Sequence, residues 1–211
     1  MHIDQYTPEV VCQCLGLAGF EVTHTPGGPI DWIRLLLQPS FDPEVCLTIS
    51  KAATAANVSV VAARRMIWHQ LSPAPMLTDR DQGRIILEGY QQLAEALRSA
   101  AASSPTYIAI CDGMQVDGIV MSSGEVTNRF RRNVSDRSLL GEAVSQAIAA
   151  AWGAVQSPYC RNALAAAGRY SGLELAPMPE PPRKPIIKTV VLGPEEDRHQ
   201  LLKALDKQKE R

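Results

Sequence analysis

Three arginines close together, Arg129, Arg131 and Arg132, form the most chemically suggestive cluster in the chain, with Arg64 and Arg65 as a second basic pair. At a spacing of two residues on a strand, Arg129 and Arg131 share a face and can bracket a phosphate or a partner's carboxylates through bidentate hydrogen bonds. The plainer account is a solvated outer face that protects a sheet edge from pairing with other chains. No aromatic residue interleaves with Arg129 and Arg131 on their own strand face, so nucleic-acid binding is disfavoured.

Other reactive side chains have structural explanations. Cys12 and Cys14 invite a metal reading, with His2 or His24 as further ligands. Residues two apart on a helix point to nearly opposite sides, however, and no second cysteine pair has finger spacing, so buried structural thiols are expected. Cys111-Asp112 falls at the end of a predicted strand, where an enzyme could place a nucleophile or an acid. Asp112-Gly113 is also a strong hairpin signal, which accounts for the aspartate as a turn residue and the cysteine as core. His24 and His69 stand in no recognised catalytic motif, and the sequence contains no G-x-S-x-G, P-loop, H-E-x-x-H or dinucleotide fingerprint. A hydrolase using Asp112 with Cys111 or His69 is therefore an alternative reading. The residues point to no catalytic set, no cofactor and no metal.

The elements that position these residues follow from periodicity. Thr106 to Cys111 reads as a strand, Asp112-Gly113 as a turn, and Met114 to Met121 as the returning strand; Asp117-Gly118 competes as a turn or marks a bulge. Ser123-Gly124 offers the next reversal. Along Glu125 to Arg132, Val126 and Phe130 fall on one face and Glu125, Thr127, Arg129 and Arg131 on the other. Ser135 or Asn133 can then cap a helix with the apolar stripe Leu140, Val144, Ala147, Ile148, Ala151, Trp152 and Val155. Ser157-Pro158 restarts a short helix through Ala167, closed by Gly168.

Upstream, Thr7-Pro8 opens a short helix, and Phe20 to Thr25 reads as a strand ended by the loop Pro26-Gly27-Gly28-Pro29. Asp31 to Gln38, Val45 to Ser50 and Val58 to Trp68 read as further strands. Thr78-Asp79-Arg80-Asp81 looks like a capping box, opening a helix with Ile86, Tyr90, Leu93, Leu97 and Ala101 along one side. Together these predict an α+β fold: an antiparallel sheet with two or three amphipathic helices on one face. Residues 1–176 form the domain and 177–185 a Pro-rich linker. Residues 186–211 form a strand and helix tail that docks on the domain or on a partner.

Composition is that of an ordinary soluble globular protein, with 45% hydrophobic and 20% charged residues. A formal net charge of -1 exerts no global pull toward nucleic acid or anionic membrane. No apolar run is long enough to span a bilayer, the N-terminus carries no signal-peptide pattern, and the five cysteines suit a reducing compartment. The expected address is the cytoplasm, without a membrane partner.

The order from Tyr107 to Val155, namely strand, Asp-Gly turn, strand, Gly turn, basic strand and amphipathic helix, resembles small bacterial proteins that neutralise toxins delivered by neighbouring cells. That resemblance implies a non-enzymatic, cytoplasmic immunity protein that blocks a toxin by direct binding, with Arg129, Arg131 and Arg132 as contacts for an acidic toxin surface. A second binding reading is an adaptor or assembly subunit, or a homo-oligomer, that uses the C-terminal tail to add a strand to another protomer or lie in its groove.

Overall fold

A computed structural model describes residues 6–21, 29–70, 74–103, 113–134 and 138–183. The chain divides into two units, residues 1–180 and 181–211. The first is an α+β domain with elements α1 (Pro8–Cys14), β1 (Trp32–Pro39), β2 (Val45–Lys51), β3 (Ala55–Ala63), β4 (Thr78–Ile86), α2 (Leu87–Ala102), β5 (Met114–Ser122), β6 (Glu125–Val134), α3 (Leu139–Ala154) and α4 (Pro158–Arg169). The six strands form one open antiparallel sheet in the order β4-β3-β2-β1-β5-β6. Of the second unit only residues 181–183 are described; they are exposed and outside any helix or strand. The strand and helix expected at 186–211 therefore lie outside the described residues.

Alternation along each strand sorts the residues onto two faces. One face carries Ile33, Leu35, Leu37, Leu47, Ile49, Val58, Val60, Val116 and Val120, packed against the apolar stripes of α2, α3 and α4. Tyr90, Leu93 and Leu97 of α2 and Leu140, Val144 and Ile148 of α3 supply the helix side. The opposite face carries Trp32, Leu36, Cys46, Val61 and Ile119, covered at one end by Val11, Cys12, Cys14 and Leu15 of the α1 segment. β1 is buried along its whole length because it is covered on both faces.

Local signals set several boundaries as expected. The Thr7 hydroxyl accepts from Val10 N and Pro8 occupies the first turn of α1; Ser157 and Pro158 play the same parts in α4, which runs on past Gly168 to Arg169. Ser123 and Gly124, with φ of 54° and 80°, make the β5–β6 turn. The α3 cap is Ser138, whose hydroxyl accepts from Gly141 N, whereas Asn133 lies inside β6 and Ser135 outside the described residues.

The main correction is residues 78–86. They form strand β4, paired with β3 from Ala55↔Ile86 to Ala63↔Thr78, and the helix starts only at Leu87. Asp81, the acidic member of the expected capping box, and its neighbour Asp79 bind elsewhere. Asp79 pairs with Arg64 at 3.0 Å, and Asp81 accepts from the backbone N–H groups of Gln156 and Ser157, each at 2.6 Å. Burial alone would raise the Asp81 carboxyl, but the N–H groups of Ser157, Gln82 and Gln156 outweigh it and hold the group below the usual carboxylate range. Asp81 thus fixes the α3–α4 connection immediately ahead of the Ser157 cap, far away in sequence.

Three smaller corrections concern strands. β3 stops at Ala63, and Ile67–His69 form a single 3-10 turn held by Glu44. Asp117 and Gly118 lie within β5, opposite Arg131 and Phe130, and are not a turn. The bulge sits further along, where Val120 pairs with Asn128 and Met121 with Val126, leaving Thr127 as the extra residue. Val126 consequently shares a face with Arg129 and lies opposite Phe130. The strand expected at Thr106 to Cys111 and its Asp112 turn residue lie outside the described residues, as does most of the one expected at Phe20 to Thr25.

The Pro-rich linker begins attached to the domain. Met178 accepts through its carbonyl from Asn162 Nδ2 at 2.8 Å and donates its N–H to Asn162 Oδ1 at 2.7 Å, pinning the chain to α4.

Candidate functional site

β6 is the edge strand that carries the arginines, and the pleat separates them. Arg129 and Arg131 point to the α1 side of the sheet, opposite Ile119 and Asp117, whereas Arg132 and Phe130 point to the helix side. The structure brings Arg129 and Arg131 together and turns Arg132 away from them.

Both outward arginines are held by carboxylates of the same chain. Arg129 pairs with Glu21 across the surface, the two side chains being 59% and 46% exposed. Arg131 Nε lies 3.5 Å from Asp117 Oδ1, with Arg131 half exposed and Asp117 buried. Gln38 Nε2 donates to Asp117 Oδ2 at 2.7 Å. Gln115, with its amide oxygen toward Arg131, accepts from Nε at 3.0 Å and Nη2 at 2.8 Å. Burial pushes the Asp117 carboxyl above the usual range, and Arg131 and Gln38 draw it back only in part. This cluster fixes the direction of the Arg131 guanidinium from below while its outer side faces solvent.

The segment before α1 joins the same site. Arg131 Nη2 donates to the Tyr6 carbonyl at 3.5 Å, and the Tyr6 hydroxyl donates to Glu44 Oε1 at 2.6 Å. Burial, followed by the Glu44 charge, raises the Tyr6 phenol far above its ordinary value, so it stays protonated and serves only as a donor to that carboxylate.

Arg132 has a structural duty on the opposite face. Its guanidinium donates to the carbonyls of Ser103 at 2.9 Å and Ala101 at 3.2 Å, closing the C-terminal end of α2 and tying it to β6. Arg132→Ala should lower stability by about 1–2 kcal/mol, read by urea denaturation, because two charge-assisted bonds to helix carbonyls are lost. A loss indistinguishable from zero would mean that water replaces the guanidinium at no cost.

The remaining reactive residues are placed as follows. Cys12, Cys14, Cys46 and Cys160 are buried free thiols, with Cys12 raised by its hydrogen bond to Cys46 and by burial, and Cys160 pushed up to about 11 by burial. Cys12, Cys14 and Cys160 are thereby held protonated, whereas Cys46 is drawn down by the Cys12 hydrogen bond but is fully enclosed, so none is presented as a nucleophile. His69 is exposed on the 3-10 turn, and Arg64 is committed to Asp79 while Arg65 is exposed. Cys111, Asp112 and His24 lie outside the described residues. Among the described residues no group of three or more His, Cys, Asp or Glu is placed to hold a metal ion. No helix among them is long and apolar enough to cross a membrane.

Gln38, Gln115 and Glu21 are site residues that sequence reasoning did not single out, and Asp117 was read there only as a turn or bulge. Counting from the Ser123-Gly124 turn alone would set Asp117 opposite Phe130; the bulge at Thr127 shifts its partner to Arg131, and the sequence does not announce that bulge. Comparisons of the chain with protein-family models, with curated proteins and with solved structures found no match.

Proposed function

We propose that this protein is a non-enzymatic protein-binding module that engages an acidic partner along β6 through Arg129 and Arg131, in the manner of an immunity protein that blocks a toxin. The observation that carries this reading is a pair of half-exposed, same-face guanidinium groups on the edge strand of the sheet, one of them oriented from beneath by a buried carboxylate. A pre-oriented arginine loses little rotamer freedom when it meets a second carboxylate, and this favours its use at an interface. Exchange of the exposed Glu21 pair for a partner carboxylate costs little, since surface ion pairs contribute weakly. Exposed Val126, on the same face as Arg129, adds an apolar contact beside them. Arg132 supports the strand from behind.

The test is affinity purification under gentle crosslinking, with mass spectrometry of what co-purifies, followed by binding measurements on Arg129→Glu/Arg131→Glu. A stoichiometric protein partner is expected, and the double reversal should weaken its binding by about 30-fold or more, the scale of a lost interface hot spot. Arg132→Ala, corrected for its stability loss, should bind normally. A partner that tolerates the double reversal, or a chain that purifies alone, would overturn the assignment. Binding lost instead on deletion of residues 181–211 would transfer the role to the tail.

A further inference from the structure

We propose that the open half of the α1-side sheet face, at the β4 edge remote from β6, binds a small phosphorylated polyol anchored by Arg84. The chain from α1 to Phe20 covers this face over Trp32, Leu36, Cys46, Val61 and Ile119, leaving open the corner of β3 and β4 that carries Asn57, Gln82 and Arg84. Two cross-strand rows beyond it are polar. Thr48, Ser59 and Gln82 stand side by side on β2, β3 and β4, and Ser50, Asn57 and Arg84 form the next row. These residues line a pocket of about 550 Å³, open to solvent on one side, which falls in the size range of small-ligand sites.

The state of the polar groups points to a ligand. Thr48 accepts from Arg34 Nε at 3.1 Å. Among the described residues, the side chains of Ser50, Asn57, Ser59, Gln82 and Arg84 make no hydrogen bond with one another or with other side chains. Among the described residues, the other arginines on the strands of this face are engaged: Arg34 with the carbonyls of Gly19 and Phe20, Arg80 with those of Leu15 and Gly16, Arg129 with Glu21 and Arg131 with Asp117. Arg84 stands beside a concavity with no carboxylate in its lining. A guanidinium in that setting selects an anion with two oxygens in one plane, as a phosphate presents.

The rest of the lining selects what the phosphate is attached to. Hydroxyls and amides on neighbouring strands stand about 4.8 Å apart, a spacing suited to successive hydroxyls of a sugar-like ligand that both donate and accept. The lining contains no aromatic ring for a base to stack on, so a sugar phosphate fits better than a nucleotide. The pocket is also too large for inorganic phosphate to fill.

The experiment is a titration of the 15N-labelled full chain with ribose 5-phosphate, ribose and inorganic phosphate, followed by amide shifts. Ribose 5-phosphate should give saturating shifts centred on residues 48, 50, 57, 59, 82 and 84, and should bind more tightly than either ribose or phosphate. Arg84→Gln should weaken it by about tenfold or more, the effect of losing a charge-assisted pair, with no change elsewhere in the spectrum. Asn57→Ala should weaken ribose 5-phosphate but leave inorganic phosphate unaffected. The proposal is overturned if these amides do not shift, if Arg84→Gln binds equally well, or if phosphate alone matches the sugar phosphate.

Discussion

Gly118→Ala is expected to destabilise the protein by about 2–4 kcal/mol, a large cost for one methyl group. Gly118 faces Phe130 across β5 and β6, and the ring lies directly on the glycine backbone. A Cβ there would sit 2.0 Å from Phe130 Cζ and 2.4 Å from Cε1. The ring would have to leave a position in which Phe130 is 6% exposed, giving up much of its burial in the core on the helix side of the sheet. Glycine paired with a cross-strand aromatic is a recognised way of pinning register, because the ring covers the backbone that the glycine leaves bare. Here it pins the strand that carries Arg129 and Arg131 on either side of Phe130. Denaturant unfolding of Gly118→Ala with and without Phe130→Leu separates the causes. If the ring is responsible, the alanine costs clearly less in the leucine background; equal costs in both backgrounds would refute the steric account. Gly153, where an added Cβ meets nothing, provides the tolerant control.

Glu44→Ala should cost about 3–5 kcal/mol, because it strips the buried acceptor from three donors. The Glu44 carboxylate is buried and accepts from the Tyr6 hydroxyl at 2.6 Å, from Ile67 N at 2.7 Å and from Trp68 N at 3.1 Å. It therefore joins the chain ahead of α1 to the 3-10 turn after β3, where Tyr6 and Trp68 also meet edge to face at 4.9 Å. Glu44→Gln keeps the shape but turns an NH₂ group toward donors, so an intermediate loss is expected. Hydrogen exchange should locate the damage, with protection falling first at Ile67 and Trp68. A Glu44→Ala protein that unfolds within about 1 kcal/mol of the parent would show that these donors find water instead.

The legible part of the fold was local. β1, β2, β5 and β6 announce themselves by apolar content and by Ser123-Gly124, and α2, α3 and α4 by their stripes and by the Ser157-Pro158 start. Both caps read from a hydroxyl followed by proline, Thr7 and Ser157, occur as written. The sharing of a face by Arg129 and Arg131 was legible too, since it needs only a pleat. β4 was not legible, and the reason lies outside its own residues. Thr78 and Asp81 have the spacing of a capping box, yet the backbone N–H groups just ahead of α4 take Asp81, and Arg64 takes the intervening Asp79. Gly83 breaks the strand pattern because α3 passes so close that a Cβ would meet the Ala154 carbonyl carbon at 2.5 Å.

The sequence alone determined the class of this protein, an antiparallel sheet with amphipathic helices on one face, because periods of two and of about 3.6 residues are properties of neighbouring side chains. Tertiary structure decided which polar groups are spent and which remain. It buried Asp117 beneath Arg131, sent Arg132 to the end of α2, made Glu44 a three-donor junction and left Arg84 beside an open polar shelf. Each outcome depends on strand order, register and one bulge. These arise from pairings between residues far apart in the chain, which no local period encodes.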